Sequence, residues 1–222
     1  MKIKVCGMTT MDQLHQLEEL GIDFAGFIFY PKSPRFVAKH GLKGSDVKNG
    51  NLKLNKVGVF VDADFEEVMK QVEEFGLDMV QLHGQETPYE CGKISDCVQV
   101  IKAFRFMDND HVEWMIKDYH NEADMFLFDT GVSVPKEEKG NTMLYGGTGR
   151  KFNWDRLKGL SIQKPFFLSG GIEPGDATLV KDFMKEPVAR DLYVVDINSR
   201  FEQSPGIKDM EKVKQFKNEL NS

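Results

Sequence analysis

No stretch of this sequence is apolar for the roughly 18 residues that a membrane helix needs, and the opening MKIKVCGMTT is too short in apolar length to serve as a secretory leader. Cysteine is scarce: Cys6, Cys91 and Cys97 are all there are. An odd number without a short repeated spacing argues against a disulfide framework, and the 91–97 interval lacks the CxxC pairing of a zinc site. Positive charge is in deficit, with 29 Lys and Arg against 35 Asp and Glu, a net charge of −6. That removes the usual footprint of nucleic acid or an anionic membrane as partner, while leaving room for local positive sites that hold a small anion. There is no low-complexity tract and no tight repeat. No G-x-G-x-x-G follows the first strand-like run, which weakens the case for a dinucleotide fold. The expectation is a reduced, soluble, cytoplasmic protein.

What the sequence does have is alternation. Short apolar runs at 3–6, 24–29, 56–61, 79–83, 98–104, 125–129, 165–171 (with its turn) and 192–198 are each followed by a helical pattern. The helix after the first run carries Leu14, Leu17 and Leu20 on one face and stops at Gly21; DFEEVMKQVEEFG after the third is clearly amphipathic. SPRFV reads as a turn, residues 44–52 as polar and weakly structured, 109–119 as a helix, 130–150 as a long polar loop, and NWDRLKGL as a helix capped by Asn153. Continuous apolar strands imply burial on both faces, as in a parallel sheet covered by helices. Eight such units in 222 residues, with no linker between halves, predict an α/β TIM (β/α)8 barrel formed as one domain over 1–222. An open doubly wound sheet is the alternative.

In a barrel the chemistry collects where strands end. Those ends carry Cys6, Arg35 in SPRF, His83, Asp129, Ser169-Gly170-Gly171, and Asn198 with Ser199, while the sixth loop holds Gly146, Gly147 and Gly149. Glycine turns ahead of helices let backbone amides approach an anion, which suggests a phosphate site; they are also ordinary turn chemistry. A carboxylate ending an apolar strand is partly desolvated and so favours its protonated form, the form a general acid needs; Asp129 also reads as a cap or salt-bridge partner. Cys6 reads either as a base, if positive charge stabilises its thiolate, or as a small buried hydrophobe. Arg35 suits a substrate carboxylate or a solvated loop, His83 a structural or pocket-lining place more than proton transfer, and Asp196 a structural place within the last strand.

Taken in order, KVCGMTT, GFIFYPKSPRFV, KVGVFV, VQLHG, FLFDT, GGTGRKFNW, FLSGGIEP and VVDINSRFEQSPGIKD resemble the phosphoribosylanthranilate isomerase family over nearly the whole chain. The resemblance implies an enzyme of tryptophan biosynthesis, an intramolecular aldose–ketose isomerase acting by an Amadori rearrangement. It implies Cys6 as general base, Asp129 as general acid, Arg35 for the anthranilate carboxylate, and a phosphate site around Gly147, Gly171 and Ser199. It implies no metal or organic cofactor, a small phosphoribosyl substrate, and a monomer or homodimer. One departure stands out: SRFE places Arg200 where the family often has glycine, adding charge to the phosphate loop but resisting positive φ. The rivals are another phospho-sugar isomerase or synthase of the tryptophan or histidine pathways, and a non-catalytic phosphometabolite-binding barrel. The synthase requires a catalytic lysine, and SPRF and VCG fit it poorly. The histidine-pathway enzyme requires an aspartate where Cys6 stands.

Overall fold

The computed structural model describes residues 1–106, 110–130 and 154–222. Eight parallel strands close in chain order into the expected barrel. They are β1 (Lys2–Cys6), β2 (Phe24–Ile28), β3 (Asn55–Phe60), β4 (Met79–Leu82), β5 (Gln99–Phe106), β6 (Met125–Thr130), β7 (Phe166–Leu168) and β8 (Leu192–Ile197). The seam is β8 against β1, with Lys4 opposite Asp196 and Val5 opposite Ile197, so no strand edge is left open.

Helices α1 (Met11–Glu19), α2 (Gly44–Asn49), α3 (Phe65–Phe75), α4 (Pro88–Ser95), α5 (Val112–Lys117), α6 (Ala177–Phe183) and α7 (Met210–Asn221) lie outside the barrel. Their starts are written locally. Thr10, Asp64 and Asp209 each accept a hydrogen bond from the backbone N–H three residues on. Thr87 and Glu90 form a reciprocal capping box with Pro88 just inside it. No helix among the described residues is long and apolar enough to cross a membrane.

Side chains alternate across each strand, so every second residue points into the barrel. Phe24, Val57, Met79, Ile101, Met125, Leu127, Phe167 and Val194 form an inner apolar cluster. The intervening residues, such as Ile3, Val5, Phe104, Phe126 and Phe128, belong to the larger core between barrel and helices. The inner cluster fills the floor; whatever lies further along the same inward register forms the mouth.

Two local expectations are corrected and one element is added. Residues 44–49 form a helix rather than a weakly structured stretch: Val47 is buried, and Lys48 reaches across to Glu73 on α3, bonding its carboxylate and its carbonyl. The helix expected from Asn153 is a single 3-10 turn, Trp154–Leu157; left-handed Gly159 ends the segment soon after, and Asn153 itself lies outside the described residues. The segment after β8 contains an antiparallel hairpin, β9 (Glu202–Ser204) and β10 (Ile207–Lys208), set by a Pro-Gly turn that the reading of the sequence passed over.

The floor of the barrel makes the first test. Phe167 is fully buried, with its ring edge-on to Phe24 at 5.7 Å and to Tyr193 at 6.3 Å. Phe167→Ala is expected to cost about 3–5 kcal/mol in urea unfolding, because the closed barrel cannot collapse onto the void.

Candidate active site

Two tiers of polar side chains stand above the apolar floor, and both follow from the inward register. The lower tier is Lys4, Gln81 and Asp196, all buried. Two residues further along the same strands come Cys6, His83 and Asn198, joined at the rim by Asp129 of β6. The two tiers are wired together.

Lys4 Nζ lies 3.0 Å from both Asp196 carboxylate oxygens and 2.9 Å from Gln81 Oε1, and its charge acts on the neighbouring Cys6 thiol. Its three protons are thereby used. Burial works against a charge here, but Asp196 and Cys6 hold the Lys4 pKa above the ordinary lysine value, so the ammonium stays charged. The Cys6 pKa is raised as well, which for a thiol favours the neutral form: burial raises it, Lys4 and Lys208 oppose that rise, and Asp196 adds to it. The resting group is a thiol with two cations ready to stabilise its thiolate. Room for the sulfur comes from Gly26 on β2, where a Cβ would stand 2.8 Å from Sγ.

Across the mouth, His83 Nε2 lies 3.4 Å from Asp129 Oδ2. The other ring nitrogen, Nδ1, is 2.9 Å from Gln81 Nε2. Arg105 of β5 donates to the His83 carbonyl and fixes the end of β4. Of the two expected proton-transfer residues, Cys6 is buried and Asp129 half-buried. They sit on β1 and β6, separated by β7 and β8 on one side and by β2 to β5 on the other.

Arg35 is buried and already engaged, not a solvated loop charge. Its Nε and Nη2 grip Glu202 at 2.8 and 2.6 Å. Lys208 Nζ joins the same carboxylate at 2.7 Å and the Asn198 side-chain oxygen at 2.8 Å. The hairpin register sets Lys208 opposite Glu202, which is why the two meet. Burial disfavours the Glu202 charge, but Arg35 and Lys208 hold its pKa below the ordinary carboxylate value; burial lowers Lys208 to about 8 despite Glu202.

The seventh and eighth loops adjoin. Gly170 and Gly171 both take positive φ, +98° and +69°, immediately after Ser169, whose carbonyl accepts from Trp154 at 3.4 Å. Ser199 opens a 3-10 turn, Ser199–Phe201. Arg200 lies within that turn without positive φ, so the expected conflict with a glycine position does not arise. Its guanidinium reaches Glu173 of the seventh loop at 3.5 Å. Gly146, Gly147 and Gly149 lie outside the described residues. Among the described residues, no three His, Cys, Asp or Glu side chains converge as a metal site.

Lys4, Gln81, Glu202 and Lys208 were missed as site residues. Lys4 and Gln81 carry a legible signal: each is a polar residue in an apolar strand two positions before Cys6 or His83, hence on the same inward face. Glu202 and Lys208 have no such signal, because a hairpin register and a distant arginine bring them in.

A thiol and a carboxyl on different walls of one mouth, above a floor of buried charge, mark the chain as a (β/α)8 barrel with a polar site at its strand ends. A family model described as N-(5'phosphoribosyl)anthranilate (PRA) isomerase matches residues 3–219. The chain belongs to that family, and it is an isomerase. An N-(5'-phosphoribosyl)anthranilate isomerase of Parabacteroides distasonis is 37% identical over 217 residues, covering 97% of this chain and 91% of the relative. The solved phosphoribosyl anthranilate isomerase of Thermotoga maritima superposes with a TM-score of 0.80 at 28% identity, covering 99% of this chain and 98% of its own. A further solved isomerase holds reduced 1-(o-carboxyphenylamino)-1-deoxyribulose 5-phosphate; it matches with a TM-score of 0.73 at 26% identity, covering 99% and 98%.

Glu202→Ala would strand two buried cations. Unfolding measurements are expected to show a loss of about 3–5 kcal/mol; a change near zero would mean that Arg35 and Lys208 need no common counter-ion.

Proposed function

We infer that this chain converts N-(5-phosphoribosyl)anthranilate to 1-(2-carboxyphenylamino)-1-deoxyribulose 5-phosphate, with Asp129 as general acid and Cys6 as general base. Asp129 protonates the furanose ring oxygen, and the ring opens as the anthranilate nitrogen lone pair forms the C=N bond of an iminium. The positive nitrogen acidifies the C2 proton. Cys6, as thiolate, removes it, and the electron pair of that C–H bond flows back to nitrogen to give an enolamine. Tautomerisation to the ketone completes the rearrangement. The electron sink lies in the substrate itself.

One observation carries the assignment: the inward register places the thiol and the carboxyl on the same rim, each with a partner suited to its task. Lys4 and Lys208 face Cys6 and favour its anionic form. Arg35 is assigned to the anthranilate carboxylate, with Glu202 gripping one edge of the guanidinium and leaving the other to face substrate. The phosphate is assigned to the adjoining seventh and eighth loops, through Ser169, Gly170, Gly171, Ser199 and Arg200. Asn198 lines the same loop but is committed to Lys208. The compartment is the cytoplasm.

Cys6→Ala and Asp129→Asn are each expected to cut turnover of phosphoribosylanthranilate by about 10²–10⁴-fold or more with the fold retained. Full turnover in either variant removes that residue from the mechanism. The raised thiol pKa sets the sign of the pH dependence. The thiolate is the active form, so kcat/KM of the wild type is expected still to climb with pH above neutrality. A plateau beginning well below pH 7 would mean that the free enzyme already holds Cys6 as thiolate.

A further inference from the structure

Gln81 touches neither the thiol nor the carboxyl, yet it stands between the two ends of the site. An ammonium has donors and no acceptor, so the Gln81 atom 2.9 Å from Lys4 Nζ must be the amide oxygen. The amide nitrogen is then the atom facing His83 Nδ1 at 2.9 Å, and it carries only donors. Nδ1 therefore accepts. A neutral imidazole holds its one proton on the other nitrogen, and that nitrogen, Nε2, lies 3.4 Å from Asp129 Oδ2. Nε2 is buried, and it makes no hydrogen bond among the described residues; Asp129 is the charged group that it faces. The direction of every bond in the series follows from the fixed polarity of Lys4, which Asp196 anchors through both carboxylate oxygens.

We propose that Lys4 and Gln81 form a tautomer lock: they hold His83 with its proton on Nε2, so that an N–H rather than a lone pair faces Asp129 Oδ2 and the acid's own proton is left to Oδ1. Gln81 and His83 are thus positioning residues, and the proposal rests on the assignment of Asp129 as the acid. The opposite tautomer would aim a lone pair at Asp129. That lone pair would compete for the proton the acid must deliver to the sugar oxygen. A carboxylate in place of the amide reverses the lock, since it accepts from Lys4 and from Nδ1–H together.

The test reads the ring directly. Unliganded protein labelled with 15N-histidine is examined at pH 8 by two-bond proton–nitrogen correlation, with the His83 signals identified by their loss in His83→Asn. The wild type is expected to carry its proton on Nε2, with an unprotonated Nδ1. Gln81→Glu is expected to move a proton onto Nδ1. It is also expected to lower kcat by roughly ten- to a hundredfold, the worth of a hydrogen bond to a charged group, with KM little changed. Gln81→Leu is expected to lower kcat in the same way, while Gln81→Asn recovers part of it if the shorter amide still bridges. A wild-type ring protonated on Nδ1 overturns the proposal without any variant, as does Gln81→Glu with an unchanged ring or with full kcat. Failure of the acid assignment is distinguishable: Asp129→Asn would then keep its turnover, whatever tautomer the wild-type spectrum records.

Discussion

A charged ammonium sealed inside a barrel must have its protons taken up, and Lys4 organises the mouth by that requirement. A buried lysine without partners would lose its charge or destabilise the fold. Here Asp196 accepts across the β8–β1 seam and Gln81 accepts from β4. Each acceptor comes from a different place in the chain, so satisfying one cation fixes the relative positions of strands 1, 4 and 8. It also sets a positive charge beside the Cys6 thiol, the group proposed as the base. The structural and the chemical demands on Lys4 therefore coincide.

A second buried charge cluster, Arg35–Glu202–Lys208, solves a similar problem at the edge of the mouth. Two cations share one carboxylate, and the short hairpin after β8 brings Lys208 into register with Glu202. Arg35 arrives from the second loop, so the cluster ties the start of the barrel to its end. The guanidinium is held through Nε and Nη2 in a fixed plane by the Glu202 carboxylate. Lys208 is the weaker of the two cations, since burial takes its pKa to about 8.

The remaining site is backbone. Gly170 and Gly171 turn the chain sharply after β7, and Arg200 joins Glu173 across the gap to the eighth loop. A side chain with positive charge thus takes the place where glycine would give only flexibility. The loop accepts it because the local conformation is a 3-10 turn, which needs no left-handed residue.

The alternation of apolar strands and amphipathic helices pointed to a parallel sheet under helices, and the count of eight favoured the barrel over an open sheet; the β8–β1 pairing decided closure. Strand-end positions also picked out Cys6, His83 and Asp129, since residues at those positions sit at the mouth by construction. Helix α2 was illegible because its formation depends on Val47 and Lys48 finding α3, a contact that no local pattern encodes. The partners of the reactive groups were decided by tertiary structure alone. Lys4 and Gln81 are polar interruptions in apolar strands until closure sets them side by side, and Glu202 is one exposed-looking acid in a polar segment until the hairpin folds it onto Arg35. A sequence specifies which groups a strand presents; only the closed barrel specifies which of them meet, because hydrogen bonds act over about 3 Å while these residues lie up to 192 positions apart.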